Sequence, residues 1–218
     1  MRRAKLSNVK LPCCCVEAAT KLGLASFLLL VPVLFSPRPA AGQPSDQADT
    51  AVVFYAEPKV EATVWPSLLD VFHSEIVRAE DEYALPEDAE AIRGGDLMLG
   101  QEFRKIIQVH LIGRCDVVEQ AEQSVPRGPL GWVLEVSGEV QPFVYIDCAR
   151  VAQFLNSATL GMSDDQRRAA MARAISRIAI HEWIHIDSQS ARHESRGIRQ
   201  AELSRRELIY GPGWPYGR

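Results

Sequence analysis

The sequence predicts an α+β domain in which a small mixed sheet, mostly antiparallel, packs on one long helix. Two observations lead to this expectation. Residues 164–186 run for about 23 positions without glycine or proline and place apolar residues at steps of three and four. Between residues 51 and 148, β-rich runs alternate with turn residues, and two of these runs flank Ser137–Gly138 as the strands of a hairpin do.

The first 42 residues are predicted to be a secretory signal peptide. A basic start precedes an apolar run at 22–35 and a small-residue segment that ends at Gly42. The apolar run has 14 residues, fewer than the roughly 20 that span a bilayer, so export with cleavage is favoured over a membrane anchor. We therefore expect a flexible segment at 43–50, a single domain at 51–218, and a secreted or periplasmic protein without stable membrane insertion after cleavage.

The charge balance argues against a nucleic-acid partner. The chain has 24 Lys and Arg against 28 Asp and Glu, a formal net charge of −4. Cleavage after residue 42 would leave 18 basic and 27 acidic residues, a net charge of −9. An acidic domain without a basic stripe lacks the electrostatic footprint of a nucleic-acid-binding protein.

Five elements are predicted before the long helix. Residues 85–96, rich in acids and glycine, are expected to form a linker. Pro142 cannot donate a ladder hydrogen bond, so the second hairpin strand should lie at a sheet edge or carry a bulge. The predicted elements are a strand at 51–57, a helix at 65–83, a strand at 104–115, a hairpin at 129–148 and a short helix at 149–155.

Two cysteines remain outside the leader and are expected to pair. Three of the five cysteines lie at positions 13–15 and would be removed with the signal peptide. Cys115 and Cys148 each follow a predicted strand, and exported proteins usually oxidise such a pair. Two buried free thiols are the alternative.

The long helix has a clear start and a stripe that changes character along its length. Ser163 and Gln166 form a capping-box pattern. Ala174 and Ile178 continue into His181 and His185 at steps of three and four, so an apolar stripe ends in two imidazoles. The arginines at 167–177 are expected on the solvated face. A second capping box, Ser204 with Glu207, predicts a short helix near the end of the chain.

The end of this helix carries the spacing of a metal site. Residues 181–185 read HEWIH, which fits H-E-x-x-H. Residues four apart lie above one another on a helix, so both imidazoles can reach one ion, while Glu182 can act on a water as general base. His73 and His110 are expected to be ordinary surface or interior histidines.

The segment after the helix offers a third ligand. A catalytic zinc needs three protein ligands and one open position. His193 is the favoured candidate, because Gly197 could turn the chain back beneath the site. A downstream glutamate, or no bound metal at all, remains open. The other candidates are Asp187, which should point elsewhere if the helix continues, Glu194, Glu202 and Glu207.

These residues resemble the zincin metallopeptidases, and within them the metzincins. H-E-W-I-H, seven residues, His193, three residues and Gly197-Ile198 are also similar to a group of uncharacterised secreted bacterial proteins of acidobacterial type. The resemblance extends over about residues 104–208 and is strong between 178 and 207. Metzincins have five residues, including a glycine, between the second and third histidines, and a methionine where Arg199 stands here.

The resemblance implies a zincin-like fold and a secreted zinc peptidase. Zn²⁺ on His181, His185 and His193 would activate a water, and Glu182 would take its proton and pass it to the leaving amine. Peptides or proteins would be the substrates, held along an edge strand of the 131–147 hairpin. A catalytically inactive zincin-like protein that keeps only the metal site or scaffold is the alternative.

Overall fold

The computed structural model describes residues 48–56, 61–83, 85–86, 88–115 and 128–211. The predicted signal peptide and most of the predicted flexible segment at 43–50 lie outside the described residues. Within the described part of the chain, no helix has the length and apolar character needed to cross a membrane.

The described residues form a mixed α+β arrangement, as the sequence predicts. Two short 3₁₀ turns, Asn156–Ala158 and Gly197–Arg199, accompany the main elements. The elements in chain order are β1 (Thr50–Ala56), α1 (Glu61–Tyr83), β2 (Glu90–Arg93), β3 (Lys105–Ile112), β4 (Gly131–Val136), β5 (Glu139–Asp147), α2 (Cys148–Leu155), α3 (Asp164–Ser188) and α4 (Arg205–Tyr210).

The expectation of a mostly antiparallel sheet is wrong. The five strands lie in the order β2-β1-β3-β5-β4, and three of the four pairings are parallel. Only β4 and β5 are antiparallel. The long connection after β1 contains α1, which carries the chain back to the end of the sheet where β1 began, so β2 runs in the same direction. The predicted hairpin exists, but it accounts for one pairing at the edge.

Strand β1 shows why the centre of the sheet is parallel. Val52 and Phe54 point into the main core with α1 and α3, and Ala51 and Val53 point into a smaller cluster on the other face. A strand covered on both faces reads as a continuous apolar run, and such strands are typical of parallel sheets. Strand β2, predicted as linker, contributes Ile92 to the smaller cluster.

The hairpin forms as predicted and carries a bulge. Ser137 and Gly138 both have positive φ, 54° and 86°, as a primed two-residue turn requires. The β4–β5 register shifts between Val133 and Glu135, and the β5 segment across from this shift contains Pro142. Strand β3 pairs with β5 only from Phe143 onward. The bulge alternative for Pro142 is therefore confirmed, and β4 is the edge strand.

Helix α3 packs against the sheet and runs through the core. The Ser163–Gln166 capping box is present at its start, and Trp183 is fully buried. The expectation that all arginines at 167–177 are solvated is wrong for Arg177, whose side chain is 3% exposed. Arg177 pairs with buried Glu75 of α1 through contacts of 2.8 and 3.0 Å and also donates to two carbonyls of α4.

A disulfide joins the end of β3 to the start of α2. Cys115 and Cys148 are bonded, with their Cα atoms 4.6 Å apart, so the expected pairing is confirmed. Asp147 caps α2 by accepting a hydrogen bond from the backbone N–H of Arg150. The disulfide and the cap together fix the junction between strand β5 and helix α2.

Candidate metal centre

The last turns of α3 and the segment behind it bring three histidines together. His181 and His185 lie one turn apart near the end of the helix. Gln189 ends the helix in a left-handed conformation, with φ of 47°, and its N–H bonds the carbonyls of His185 and Ile186. The chain then turns back so that the ring of His193 lies over the two helical rings.

The three imidazoles are close enough to share one ion. One ligand atom from each of His181, His185 and His193 lies within 4.8 Å of the others. The Nε2 atoms of His181 and His185 are 3.1 Å apart. The centroid of the His193 ring lies 4.8 Å from that of His185 and 5.3 Å from that of His181. The structure therefore places the predicted ligands together, while their role as ligands stays a prediction.

The other nitrogen of each helical histidine is held by a backbone carbonyl. Nδ1 of His181 lies 2.5 Å from the carbonyl oxygen of Ile198, and Nδ1 of His185 lies 2.6 Å from that of Ser190. A carbonyl can only accept, so each Nδ1 must carry the proton and donate it. Each Nε2 is then left with a lone pair, as in the carbonyl-oriented histidines of metal sites.

These two lone pairs face each other at a distance that suits a cation. Two neutral Nε2 atoms 3.1 Å apart repel unless a positive charge lies between them. Nitrogens that bind one tetrahedral Zn²⁺ at about 2.0–2.1 Å are about 3.3 Å apart, close to the observed separation. The residues present therefore fit a metal ion held by imidazole nitrogens.

The two helical histidines, His181 and His185, are kept in the neutral form that binds metals. Burial lowers the pKa of His181 from 6.5 to about 4; the Ile198 carbonyl opposes this shift, and nearby His185, His193 and Arg199 add to it. Burial is also the main cause that lowers the pKa of His185. Both rings are thus neutral at neutral pH, with the proton on Nδ1, so no proton has to leave Nε2 before a cation binds there.

Glu182 lies beside the histidines in a desolvated environment. It is 7% exposed, and burial raises the pKa of its carboxyl from 4.5 to about 7. Gly131, the first residue of β4, allows the strand to approach closely, because a β-carbon there would overlap Cγ2 of Ile178 and lie 3.5 Å from Oε1 of Glu182. A carboxyl that titrates near neutral pH is suited to accept and release a proton.

The cluster opens into a cavity of about 650 Å³. The walls come from β4, the ends of α2 and α4, the last turns of α3 and the segment that carries His193. The lining residues are Gly128, Pro129, Leu130, Gly131, Trp132, Val133, Glu135, Val140, Phe154, Ile178, His181, Glu182, His185, Ala191, His193, Gln200, Ala201, Glu202, Leu203 and Leu208. All three histidines and Glu182 therefore face one space that a small ligand could enter.

Two alternative ligands are engaged in ion pairs. Asp187 pairs with Lys105 of β3. Glu194 pairs with Arg199 at 2.8 Å, and its N–H bonds the carbonyl of Arg199. This short loop, closed by side chain and backbone, fixes the residue next to His193. Arg199 thus holds the segment at the place where the resemblance would put a methionine.

Two further glutamates lie outside the group of possible ligands. The carboxylate of Glu207 accepts from the N–H of Ser204 at 2.7 Å and from Gln200 at 3.1 Å, so the second capping box is present. Glu202 is exposed and lines the cavity. Within the described ranges, the group that could hold a metal comprises the three histidines and neither glutamate.

The remaining two histidines lie elsewhere, as expected. His73 is exposed on α1. His110 stacks between Tyr55 and Tyr145 on the face of the sheet, with ring centroids 5.2 and 5.1 Å away. Neither belongs to the histidine cluster.

Sequence reasoning misses the groups that orient and cover the site. The carbonyls of Ser190 and Ile198 belong to the backbone, which carries no residue signal in the sequence. Gly131 begins a β-rich run directly after proline and leucine, and a glycine at a strand end can indicate a close approach. That signal does not tell which partner approaches.

Comparisons with protein-family models, with curated proteins and with solved structures find no match to this chain. The likeness to zincins and metzincins therefore stays an expectation from the sequence.

Proposed function

We propose that the protein is an exported zinc-dependent peptidase, with His181, His185 and His193 as ligands and Glu182 as general base. The observation that carries this proposal is the convergence of two carbonyl-oriented Nε2 atoms, 3.1 Å apart, beside a buried carboxyl. Export is proposed from the leader pattern at residues 1–42.

The donor set supports zinc among the common metals. Three imidazoles suit Zn²⁺, whereas Mg²⁺ and Ca²⁺ prefer oxygen ligands. Three protein ligands are also the usual number in catalytic zinc sites, which keep one position for water or substrate. When bound, the ion would supply a Lewis acid that lowers the pKa of a water and polarises a carbonyl.

Glu182 performs the proton transfers in this proposal. Its carboxyl, with a pKa of about 7, accepts a proton from the attacking water and delivers it to the leaving amine. The pKa lies near neutral pH because burial disfavours the charged carboxylate. Because Gly131 has no side chain, no β-carbon of this residue lies beside the carboxyl of Glu182, which lines the cavity.

The edge strand β4 is the proposed platform for the substrate. β4 pairs only with β5 in the described sheet, so its other edge can bind an extended peptide as an added strand. Gly131, at its start, lies next to Glu182. A peptide bound along β4 would pass the three imidazoles, with side chains directed into the cavity between β4 and α3.

Glu182→Gln tests the catalytic role. The variant keeps the size of the side chain but cannot take up a proton, so hydrolysis of a peptide library should fall by about 10²–10⁴-fold. Zinc content, measured by elemental analysis, should stay at the wild-type level because the ligands are intact. Glu139→Gln, an exposed change on the same hairpin that does not line the cavity, is the matched control.

The same experiment addresses the inactive alternative. If the wild-type protein binds zinc but cleaves no peptide in the library, a zincin-like binding protein without turnover replaces the peptidase. If Glu182→Gln cleaves as fast as the wild type, Glu182 is not the base and the proposed mechanism is wrong.

A further inference from the structure

Two exposed carboxylates, Glu135 and Glu202, line the cavity beside the histidines. Its lining includes Glu135, Glu182 and Glu202, and no lysine or arginine is among the described lining residues. Glu182 is 7% exposed and serves as the proposed general base, so Glu135 and Glu202 are the carboxylates left to contact the rest of a substrate. The other ionisable lining groups are the three histidines.

Glu135 and Glu202 are free to meet a ligand. They come from two separate segments, β4 and the stretch before α4, and both are exposed. Neither has an ion pair or a hydrogen bond with the described part of the chain. Glu194 and Glu207, on the same stretch of chain as Glu202, are by contrast engaged by Arg199 and Ser204.

The arginines around the cavity are engaged with protein partners. Arg150 pairs with Asp147 at 3.1 Å and donates to the carbonyl of Pro129. Arg205 donates to the carbonyl of Phe154 at 2.6 Å and lies over the phenyl ring of the same residue. Arg199 pairs with Glu194, so all three guanidinium groups are engaged by carboxylates or carbonyls of the protein itself.

Glu135 lies on β4 where it could contact a side chain of a peptide bound to this strand. Gly131, Val133 and Glu135 lie on one face of β4, because side chains alternate along a strand, and all three are among the residues that line the cavity. Gly131 lies at Glu182, and Glu135 is four residues further along, about 13 Å at 3.3 Å per residue. A peptide paired with β4 would present a side chain to Glu135 within about four residues of the bond at Glu182.

We infer that the cavity selects cationic peptides, an inference that rests on the peptidase proposed above. The preferred substrate is an extended peptide with a lysine or arginine within about four residues of the cleaved bond. Glu135 and Glu202 attract that side chain. The net charge of the whole chain, −4, favours the approach of the same class of ligand.

The test uses peptide binding under conditions without turnover. The zinc-loaded Glu182→Gln protein is titrated with labelled ten-residue peptides that differ only in one position, which is lysine, glutamine or glutamate. Fluorescence anisotropy should report about three- to tenfold tighter binding of the lysine peptide than of the glutamine peptide, and weaker binding of the glutamate peptide. At 0.5 M NaCl the preference should shrink because salt screens exposed charges.

Removing the charges of Glu135 and Glu202 tests whether these two carboxylates cause the preference for lysine. Adding Glu135→Gln and Glu202→Gln to the same background should abolish the preference for lysine. Adding Glu139→Gln, an exposed carboxylate on the same hairpin outside the cavity lining, should leave it unchanged. Equal binding of the lysine and glutamate peptides, or a preference that survives the double change, would overturn the inference.

Hydrolysis by the wild-type protein separates this inference from the peptidase proposal. If the uncharged peptide is cleaved but charge has no effect on binding, the peptidase stands and the cationic selectivity is wrong. If the lysine peptide binds selectively but no peptide is cleaved, the selectivity stands and the peptidase is wrong. If no peptide binds at all, both are wrong.

Discussion

The buried carboxyl of Glu182 makes stability depend on pH in a way that Glu182→Gln should remove. Burial raises the pKa of Glu182 from 4.5 to about 7 in the folded protein. Between these values the folded state keeps a proton that the unfolded chain has lost. Since the folded state binds more protons, the contribution of Glu182 to the free energy of unfolding falls as pH rises through this window.

The size of the effect follows from the shift. Each unit corresponds to 1.36 kcal/mol, so a shift from 4.5 to about 7 gives about 3 kcal/mol between pH 4 and pH 8. His181 acts in the opposite direction, because its pKa is lowered to about 4 and its contribution to stability rises with pH between about 4 and 6.5. The variant retains this histidine, so the difference between the two proteins isolates Glu182.

Denaturant unfolding of the two proteins after metal removal by a chelator provides the measurement. The wild type should lose about 3 kcal/mol relative to Glu182→Gln as pH rises from 4 to 8. A difference that stays constant over this range would refute the reasoning, because it would mean that Glu182 is as well solvated in the folded protein as in the unfolded chain.

Two further changes test the buried ion pair between Glu75 and Arg177 and the close approach of β4 to α3. Glu75→Gln leaves the buried Arg177 without its carboxylate and should lower the free energy of unfolding by about 3–5 kcal/mol, whereas exposed Glu139→Gln should change it by less than about 0.5 kcal/mol; similar values for both would contradict the buried pair. Gly131→Ala adds a β-carbon that overlaps Ile178 and should cost about 1–3 kcal/mol. Adding Ile178→Ala, which removes the obstructing methyl, should make the Gly131→Ala change less costly, and equal costs in both backgrounds would contradict the close approach.

The locally encoded parts of the fold could be predicted from the sequence. The capping box at Ser163, the length of α3 and the primed turn at Ser137–Gly138 depend on residues a few positions apart. The i,i+4 spacing of His181 and His185 belongs to the same class, because a helix brings these positions together without help from the rest of the chain.

The parts that depend on distant residues could not be predicted as well. The parallel order of the sheet depends on where the chain returns after α1, and the antiparallel hairpin at the edge carries no information about the direction of the other strands. The short strand β2 has one buried apolar residue, Ile92, in an acidic stretch, so its local signal is weak. The burial of Arg177 depends on Glu75, about a hundred residues earlier.

The candidate site also has a part that is encoded locally and a part that depends on distant residues. Residue types and spacing predict His181, His185, His193 and Glu182 as site residues, and the structure brings all four to one cavity. The orientation of the rings depends on backbone carbonyls, and the raised pKa of Glu182 depends on the walls that exclude water. Both properties arise only when the segment after α3 and strand β4 are in place.

Metal content of the purified protein tests the central claim most directly. Elemental analysis should find about one zinc per chain, with loss of the metal in His185→Ala and weaker retention in His193→Ala, since each change removes one of three ligands. His73→Ala, at an exposed position on α1, should retain the wild-type content. A wild-type protein that takes up no zinc, or that binds it equally well without His185, would contradict the account.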